Sequence, residues 1–218
     1  MPAVALRGLV CLPDMILHFD VSRKKSIAAL EAAMVKDQMV FLVAQKDPDE
    51  EDPKQEGLYI AGAMAKVKQI VKMPENMVRV VAEGKFRAEL DEVISVSPYL
   101  LTDVIIHDRE EKVENENEAE AMRRVLEEIL QKFIDAGAKF GPEITRQMEQ
   151  AEDIVKLTNQ LCANMPMRWQ DRQTLAEKVD FRERYEELCR IMEKEYDVLL
   201  INQDCLLYTS DAADDTPC

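Results

Sequence analysis

The side chains that could carry out covalent chemistry are few and widely separated in this sequence. The only histidines are His18 and His107, and the cysteines before residue 205 are Cys11, Cys162 and Cys189. This spacing does not form a CxxC zinc site, and an odd number of thiols does not indicate a disulfide framework. We interpret these cysteines as buried or half-buried thiols of a reducing compartment. A base–nucleophile pair would require the fold to bring a histidine next to a thiol or hydroxyl.

One catalytic pattern matches by spacing alone. Ser22 and Lys25 fit S-x-x-K, the signature of penicillin-recognising acyl enzymes, but the accompanying S-D-N and K-T-G elements are absent. Helix capping by Ser22 is the simpler interpretation, and an S-x-x-K acyl transferase is the alternative. The sequence contains neither G-x-x-x-x-G-K-[ST] nor G-x-G-x-x-G, so it indicates no nucleotide site. We predict that the chain is not an enzyme and binds no cofactor or metal.

Composition and charge exclude other classes of protein. The 218 residues are 47% hydrophobic and 33% charged, which is typical of a globular protein with a core. The net charge of −15 repels a phosphate backbone, and no basic stripe is interleaved with aromatics, so we expect no nucleic-acid partner. No apolar run reaches the roughly 20 residues of a membrane span, and the N-terminus lacks a secretory signal. We therefore predict a cytoplasmic protein without a membrane partner.

The elements that would position any site change character near residue 107. Residues 38–45 (QMVFLVAQ) form a short apolar run that is typical of a buried strand. Residues 62–73 alternate apolar side chains with lysines, residues 74–76 (PEN) supply turn chemistry, and residues 77–82 return as a partner strand. This pattern predicts a β-hairpin. Residues 93–96 and 100–106 predict two further strands.

A helix and an acidic loop interrupt the strands. Ser22 stands at a predicted N-cap, and the helix that follows places Ile27, Leu30, Ala33 and Met34 on one face. Residues 47–56 (DPDEEDPKQE) are acidic and contain two prolines, so we expect a solvated loop there.

From residue 108 the apolar period becomes helical. Four helical stretches carry apolar stripes at i, i+3 and i+4 spacing. The stripes comprise Met122, Val125, Leu126, Ile129, Leu130 and Phe133; Ile144 and Met148; Ile154, Leu157, Leu161 and Met165; and Phe181, Tyr185, Leu188, Met192, Tyr196 and Leu199. Asp171 is predicted to cap a short helix that ends at Lys178, and Asp180 with Glu183 has capping-box spacing. A β-rich half followed by a helical bundle is an α+β protein.

Methionine is the unusual residue of this composition, with twelve copies against one tryptophan. Methionine fills irregular gaps in a core, and it also lines surfaces that accept many partners. Met15, Met73 and Met77 lie beside prolines or turns, where burial is not forced. The methionines therefore have two possible roles, which are filling the core and forming an exposed patch that binds disordered polypeptide.

Several segments in order resemble the N-terminal domain of Lon, the ATP-dependent serine protease of bacteria and organelles. Residues 5–15 (ALRGLVCLPDM) resemble the family's opening L-P-L-R-[DG]-x-V-x-[FY]-P-x-M, residues 22–27 (SRKKSI) its G-R-x-K-S-I, and residues 42–46 (LVAQK) its strand end. Further matches are GAMA at 62–65, KMPEN at 72–76, VVAEG at 80–84, NMP at 164–166 and DRQ at 171–173. The resemblance covers about residues 4–200. Leu12, Ser22, Ala63 and Asn76 depart from the family pattern.

The resemblance implies a fold and a function. It implies a small, PUA-like β-rich pseudo-barrel over residues 1–107 with one helix, then a helical bundle over residues 108–204 that ends in a long helix. It also implies recognition and positioning of unfolded, damaged or degron-tagged substrate proteins, and support of a homo-hexamer. ATP and Mg²⁺ would belong to an ATPase module outside this chain, which alone would be a monomer or weak dimer. A stand-alone adaptor without a protease is the alternative.

We predict that exposed apolar residues bind the substrate. The predicted residues are Pro13, Met15, Ile16, Met73, Pro74 and Met77.

The last fourteen residues, 205–218 (CLLYTSDAADDTPC), differ from the charged helical pattern before them. One legal back-translation of residues 205–214 resembles a transposon-derived sequencing-library adapter read in frame. We predict that residues 205–218 are a non-native, disordered tail, so that Cys205 and Cys218 form no redox or metal site. A natural truncation is the alternative.

Overall fold

In a computed structural model the chain folds as six strands, with one helix between the second and third strands, followed by further helices. The structure describes residues 1–109, 111–138, 151 and 153–211, with only the backbone described from 203 to 211. The strands are β1 (Pro2–Leu6), β2 (Ile16–Val21), β3 (Met39–Gln45), β4 (Leu58–Lys72), β5 (Val78–Ser95) and β6 (Leu100–His107). The helices are α1 (Lys24–Val35), α2 (Glu116–Asp135), α3 (Ile154–Asn164), α4 (Trp169–Glu177) and α5 (Phe181–Asp211), and a 3₁₀ turn spans Gln55–Gly57.

The six strands form one sheet that closes on itself. Their order is β2-β5-β4-β3-β1-β6, and β6 also pairs with β5, so that five strands complete a ring with β2 beside it. Only β1 and β3 run parallel, with Ala3 opposite Phe41, and the other pairs are antiparallel. The closed sheet with later helices confirms the predicted α+β class and the β-rich pseudo-barrel.

Strand β5 pairs with β4 along one edge and with both β2 and β6 along the other, because it is long and bent. Its first half pairs with β2, where Val78 lies opposite Val21 and Glu83 opposite Ile16. Its second half pairs with β6 and contains two register shifts, one of them between Leu90 and Glu92. Such bulges bend a strand without ending it. The separate strand predicted at residues 93–96 is therefore wrong, since β5 continues to Ser95.

The structure confirms both the strands and the connecting turn of the predicted hairpin. Glu75 and Asn76 adopt φ of 63° and 57°, and the amide of Met73 donates to the carbonyl of Met77 at 2.8 Å. Asparagine tolerates this left-handed backbone better than most residues. The turn therefore closes without the glycine that such positions usually favour.

Helix α1 starts one residue later than a Ser22 cap requires. Its N-cap is Arg23, and no side chain caps the first turn. The Arg23 guanidinium instead donates to Gln45 Oε1 at 2.9 Å and to the carbonyl of Ala5. These bonds hold Arg23 in extended backbone before the helix, so the predicted Ser22 cap is wrong.

The acidic loop is exposed at its side chains but anchored through its backbone. Gln45 is fully buried, and its Nε2 donates to the carbonyls of Asp47 at 2.6 Å and Glu50 at 3.0 Å. Arg7 donates to the same Glu50 carbonyl at 3.3 Å. A solvated loop was expected from composition, whereas one buried amide side chain organises the start of this loop.

Side-chain caps begin three of the later helices, and at α3 Asp153 Oδ1 accepts from the amide of Lys156 at 2.7 Å. Asn115 Oδ1 accepts from the amides of residues 117 and 118 at the start of α2. Asp180 Oδ1 accepts from the amides of residues 182 and 183 at 2.9 and 3.1 Å, which confirms the predicted cap. Helix α4 begins at Trp169 with Arg168 as its N-cap, so the predicted cap at Asp171 is wrong because Asp171 already lies in the first turn.

Most residues of the predicted helical stripes form one core, but Val125 of the predicted α2 stripe is 43% exposed, so that part of the prediction is wrong. Leu126, Ile129, Leu130 and Phe133 of α2 are buried, as are Ile154, Leu157, Leu161 and Met165 around α3 and Phe181, Tyr185, Leu188 and Met192 of α5. Ile144 and Met148 lie outside the described residues. The helical backbone of α5 continues to Asp211, seven residues into the segment predicted to be disordered.

The β-rich half and the helices share this core. Val10, Leu12, Ala44 and Ala61 belong to the same buried cluster as the helical residues. Helix α4 lies against β4, where Gln173 Nε2 donates to the Ala61 carbonyl at 3.2 Å. The rings of Trp169 and Tyr59 also meet edge to face, with centroids 6.3 Å apart. Burial is therefore continuous across the change from strands to helices.

Candidate functional site

The six predicted substrate-binding residues fall into two groups at opposite ends of β2. Met73, Pro74 and Met77 are exposed around the β4–β5 turn, beside the end of β2 at Val21. Pro13, Met15 and Ile16 lie at the other end, five residues away along β2 and so about 17 Å distant. The structure therefore does not gather these residues into one patch.

The second group differs in exposure. Ile16 is 62% exposed, whereas Met15 is half-buried and packs against two of the buried clusters. Pro13 is half-buried as well and lines the largest cleft described below. Met15 therefore contributes to the core at least as much as to the surface.

A cleft of about 940 Å³ separates the outer wall of the barrel from the helices. The wall is formed by β5 and β6, whose Phe86, Ile105 and Ile106 are 38%, 51% and 40% exposed. The opposite side is formed by α3, which contributes Val155 and Asn159, and by the connection between α4 and α5. Clefts that combine apolar walls with a few polar groups are the usual form of a binding site.

Arg87 places a buried cation at this cleft. It is 6% exposed, and its Nη1 donates to the carbonyl of Leu175 at 3.1 Å, while its Nη2 has no hydrogen-bond partner among the residues that the structure describes. Burial, with a smaller contribution from the nearby charge of Arg184, lowers the pKa of Arg87 to about 10, although the charge of Glu111 acts in the opposite direction. A buried donor without an acceptor is costly, so a carbonyl or carboxylate oxygen from a ligand would relieve it.

An unsatisfied acceptor lies in the same cleft. Asn159 Oδ1 is buried and has no hydrogen-bond partner in the described part of the chain. An extended polypeptide offers both backbone amides and carbonyls to such groups. The cleft thus combines exposed apolar side chains with two lining residues, Arg87 and Asn159, that each hold a buried polar atom without a partner among the described residues.

Arg184 fixes the helical side of the cleft. Its side chain is fully buried, and its Nη1 donates to the carbonyls of Lys178 and Val179, each at 2.9 Å. Its Nη2 donates to the carboxylate of Glu111, and the guanidinium lies 5.8 Å from the centre of the Phe181 ring. The connection before α2 is thereby tied to the turn before α5.

Gly84 fixes the other rim of the cleft. The amide of Asp14 donates to the Gly84 carbonyl at 3.0 Å, and the Gly84 amide donates to the Met15 carbonyl at 2.9 Å. A Cβ on residue 84 would lie 2.0 Å from the Leu12 carbonyl oxygen. Only glycine permits this approach, which sets Pro13 at the edge of the cleft.

The residues that could carry covalent chemistry are not brought together. Burial raises the pKa of Cys11 to about 12 and that of Cys162 to about 11, so these thiols are poor nucleophiles. In the part of the chain that the structure describes, neither histidine bonds a thiol or hydroxyl, and no acidic, histidine and cysteine group could hold a metal. Lys25 Nζ binds both carboxylate oxygens of Asp52, at 2.6 and 2.7 Å, which commits the S-x-x-K lysine to an ion pair.

Sequence reasoning missed the residues of the cleft wall, although one signal was present. Neighbouring residues of a strand point to opposite faces, so Ile105 and Ile106 could not both enter one core. Nothing comparable marks Arg87, because its position depends on α4 folding back onto the barrel. No described helix is long and apolar enough to cross a membrane.

Residues 1–194 match a protein family described as the ATP-dependent protease La (LON) substrate-binding domain. A Lon protease of Lachnoclostridium phytofermentans is 38% identical over 214 residues, covering 98% of this chain and 26% of that protein. That alignment therefore includes part of residues 205–218. A Lon protease of Brevibacillus choshinensis is 37% identical over 199 residues, covering 91% of this chain and 25% of that protein. The chain thus spans about a quarter of the length of these relatives.

Two solved structures share the fold. The N-terminal domain of the Mycobacterium avium complex Lon protease aligns with a TM-score of 0.65 at 17% identity, covering 88% of this chain and 97% of that one. A Lon N-terminal domain protein from Xanthomonas campestris aligns with a TM-score of 0.59 at 14% identity, covering 86% and 95%. The family match over residues 1–194, supported by these relatives, places the chain in the Lon family, as its substrate-binding domain.

Proposed function

We propose that this chain recognises unfolded or damaged polypeptides and positions them for proteolysis by the rest of a longer Lon protein. The family match supports substrate binding in general, and the relatives are about four times as long as the aligned region. ATP and Mg²⁺ would be bound outside this chain. Because the named relatives are bacterial proteins, we infer that the parent works in the bacterial cytoplasm.

The cleft between the barrel and the helices carries this proposal. Phe86, Ile105 and Ile106 present apolar area that an unfolded segment could cover, and Arg87 and Asn159 supply a donor and an acceptor for its backbone. Folded proteins bury their apolar side chains and pair their backbone groups. A site that offers both kinds of contact therefore selects segments that are not folded.

A single cleft of this kind binds weakly, and assembly would strengthen it. When several copies of the domain are held together, one long substrate can bind to more than one of them. After the first contact the others are intramolecular, which raises the overall affinity. We propose that the domain also supports hexamer assembly in the parent, while this chain alone is a monomer or weak dimer. Light scattering coupled to size exclusion measures the mass of the isolated chain, and a stable hexamer would contradict this part of the proposal.

Paired substitutions of exposed strand residues test the cleft. Phe86→Asp with Ile105→Asp should weaken binding of a labelled, permanently unfolded protein, as measured by fluorescence anisotropy. Burying the exposed fractions of these two side chains contributes about 2 kcal/mol, so the expected loss is roughly 30-fold. Ile60→Asp is the matched control, because Ile60 is 64% exposed on β4 and does not line the cleft.

The same assay compares the cleft with the methionines. Met15→Asp with Met73→Asp should weaken binding if the predicted residues contact substrate. An equal loss in the Ile60 control would show that any apolar surface suffices. Full binding by the cleft variant, with an unchanged melting temperature, would overturn the assignment of the cleft.

A further inference from the structure

A second pocket, which we call the α1 pocket, lies at the N-terminus of α1. Its volume is about 340 Å³, and it lies between the helix start, β1 and the acidic loop. Four cationic side chains line it, namely Arg7, Arg23, Lys24 and Lys25. This concentration of positive charge stands out in a chain with a net charge of −15. The proposed recognition of unfolded polypeptide does not use the α1 pocket.

The first turn of α1 leaves its hydrogen-bond donors open. No side chain caps it, and the first helical bond runs from the amide of Ile27 to the carbonyl of Arg23. The amides of Lys24, Lys25 and Ser26 therefore have no acceptor among the described residues. Backbone amides at a helix N-terminus attract anions through their partial positive charge.

Ser26 adds an independent donor inside the pocket. The residue is only 7% exposed and lines the α1 pocket. Its hydroxyl makes no hydrogen bond within the described part of the chain. Because the Ser26 oxygen is not among the fully buried unpaired atoms, it stays accessible from the pocket, where the hydroxyl can donate to a ligand.

The two arginines of the pocket lack carboxylate partners. Arg23 donates to Gln45 Oε1, at 2.9 Å, and to the carbonyls of Ala5 and Glu51, all of which are neutral acceptors. Burial lowers the pKa of Arg23, the charge of Arg7 lowers it further, and the charge of Asp52 opposes both effects. Two neighbouring guanidinium groups repel each other, and an anion between them would reverse this cost.

The acidic residues at the pocket oppose such a ligand only in part. Asp52 is engaged by Lys25, whereas the exposed Glu51 makes no ion pair among the described residues. Both lie on the acidic loop, which covers one side of the pocket. The carboxylate of Glu51 should therefore weaken anion binding without preventing it.

We propose that the α1 pocket binds a phosphate group, either as a free anion or as part of a phosphorylated polypeptide. The pocket offers more hydrogen-bond donors than the two oxygens of a carboxylate accept. These donors are three backbone amides, the Ser26 hydroxyl and two guanidinium groups. A phosphate group offers three strong acceptor oxygens and up to two negative charges. The donor set thus matches phosphate better than a carboxylate.

Titration of the unmodified chain tests the site without any variant. We expect pyrophosphate, followed by ¹H–¹⁵N spectra, to shift the amide signals of Lys24, Lys25 and Ser26. A phosphoserine peptide and its serine counterpart identify the source. A response to the phosphopeptide but not to pyrophosphate assigns the site to modified polypeptide. A response to neither, or an equal response to chloride at matched ionic strength, overturns the proposal.

Four variants separate a binding role from a structural one. Ser26→Ala should weaken pyrophosphate binding about tenfold, as the loss of a hydrogen bond to a charged group does. Lys24→Met should weaken it severalfold, whereas Lys36→Met, at the opposite end of α1, should leave it unchanged. Glu51→Gln should strengthen binding by about two- to fivefold because a repelling charge is removed. A gain of affinity cannot come from misfolding, so Glu51→Gln tests the site even if other variants fold poorly. If the affinity for pyrophosphate is unchanged in both single variants, Glu51→Gln and Ser26→Ala, the site is contradicted.

Discussion

Replacing Arg87 by methionine should make the protein more stable and less able to bind substrate. The shift of the Arg87 pKa from 12.5 to about 10 corresponds to a penalty on the order of 3 kcal/mol for holding this charge in the folded state. A guanidinium stays protonated, so the penalty is present throughout the usable pH range. Methionine has a similar length and carries no charge. It therefore removes the penalty without leaving a large cavity.

The lost hydrogen bond offsets part of this gain. Arg87 Nη1 donates to the Leu175 carbonyl at 3.1 Å, and leaving that carbonyl unpaired costs about 1–2 kcal/mol. The net expectation is a stabilisation of about 1–2 kcal/mol, measured by urea unfolding at pH 7. Arg87→Lys keeps the charge and is the control, and it should be no more stable than the original chain.

Binding of an unfolded test protein gives the second readout. Arg87→Met removes the free donor of the cleft, so its affinity should fall while its stability rises. Binding sites often retain such costly groups. A loss of more than 1 kcal/mol of stability in Arg87→Met would refute the reasoning, because it would show that the guanidinium is already satisfied.

Two further predictions concern close packing and buried thiols. Gly84→Ala should lower the free energy of unfolding by more than 2 kcal/mol, as measured in urea, because the added Cβ would lie 2.0 Å from the Leu12 carbonyl oxygen. Gly137→Ala is the control, because the added Cβ has open space around it. It should cost only about 1 kcal/mol, which reflects the φ of +76° at residue 137. An equal effect of the two changes would refute the argument from the Leu12 contact. Because burial raises the pKa values of Cys11 to about 12 and of Cys162 to about 11, the unfolded chain releases these thiol protons first as the pH rises above about 9. Stability should therefore fall between pH 9 and 11 more steeply in the original chain than in a variant with both cysteines changed to alanine, and identical slopes would contradict this linkage.

Local chemistry made much of the fold predictable. The Pro74-Glu75-Asn76 turn and the Asp180 cap depend on a few neighbouring residues, and the structure has both. The buried faces of the helices could be predicted because their apolar residues recur with the period of an α-helix. The misplaced Ser22 cap has a long-range cause, since Arg23 is held outside α1 by bonds to Gln45 and Ala5.

The candidate site was less predictable than the fold. The methionines beside turns were visible in the sequence, but whether they are exposed and whether they meet depend on the fold, in which β2 separates Met15 from Met73 and Met77. Arg87 keeps an unpaired donor because α4 offers it the Leu175 carbonyl, while the carboxylate of Glu111 pairs with Arg184. Such an unsatisfied group is a property of the packed molecule, and residue types along the chain do not reveal it.

The insertion of β1 between β3 and β6 determines when the barrel can form during synthesis. Pro2 lies opposite Leu101, and the carbonyl of Met1 accepts from the amide of Thr102 at 2.9 Å, so the first residues wait for partners one hundred positions later. At the usual rate of translation these partners follow after about 5–20 s. During that time the strands that have left the ribosome carry unpaired edges, which are prone to wrong pairing. For several seconds the new chain is therefore itself a partly unfolded polypeptide. We propose that the folded domain recognises polypeptides in that same state.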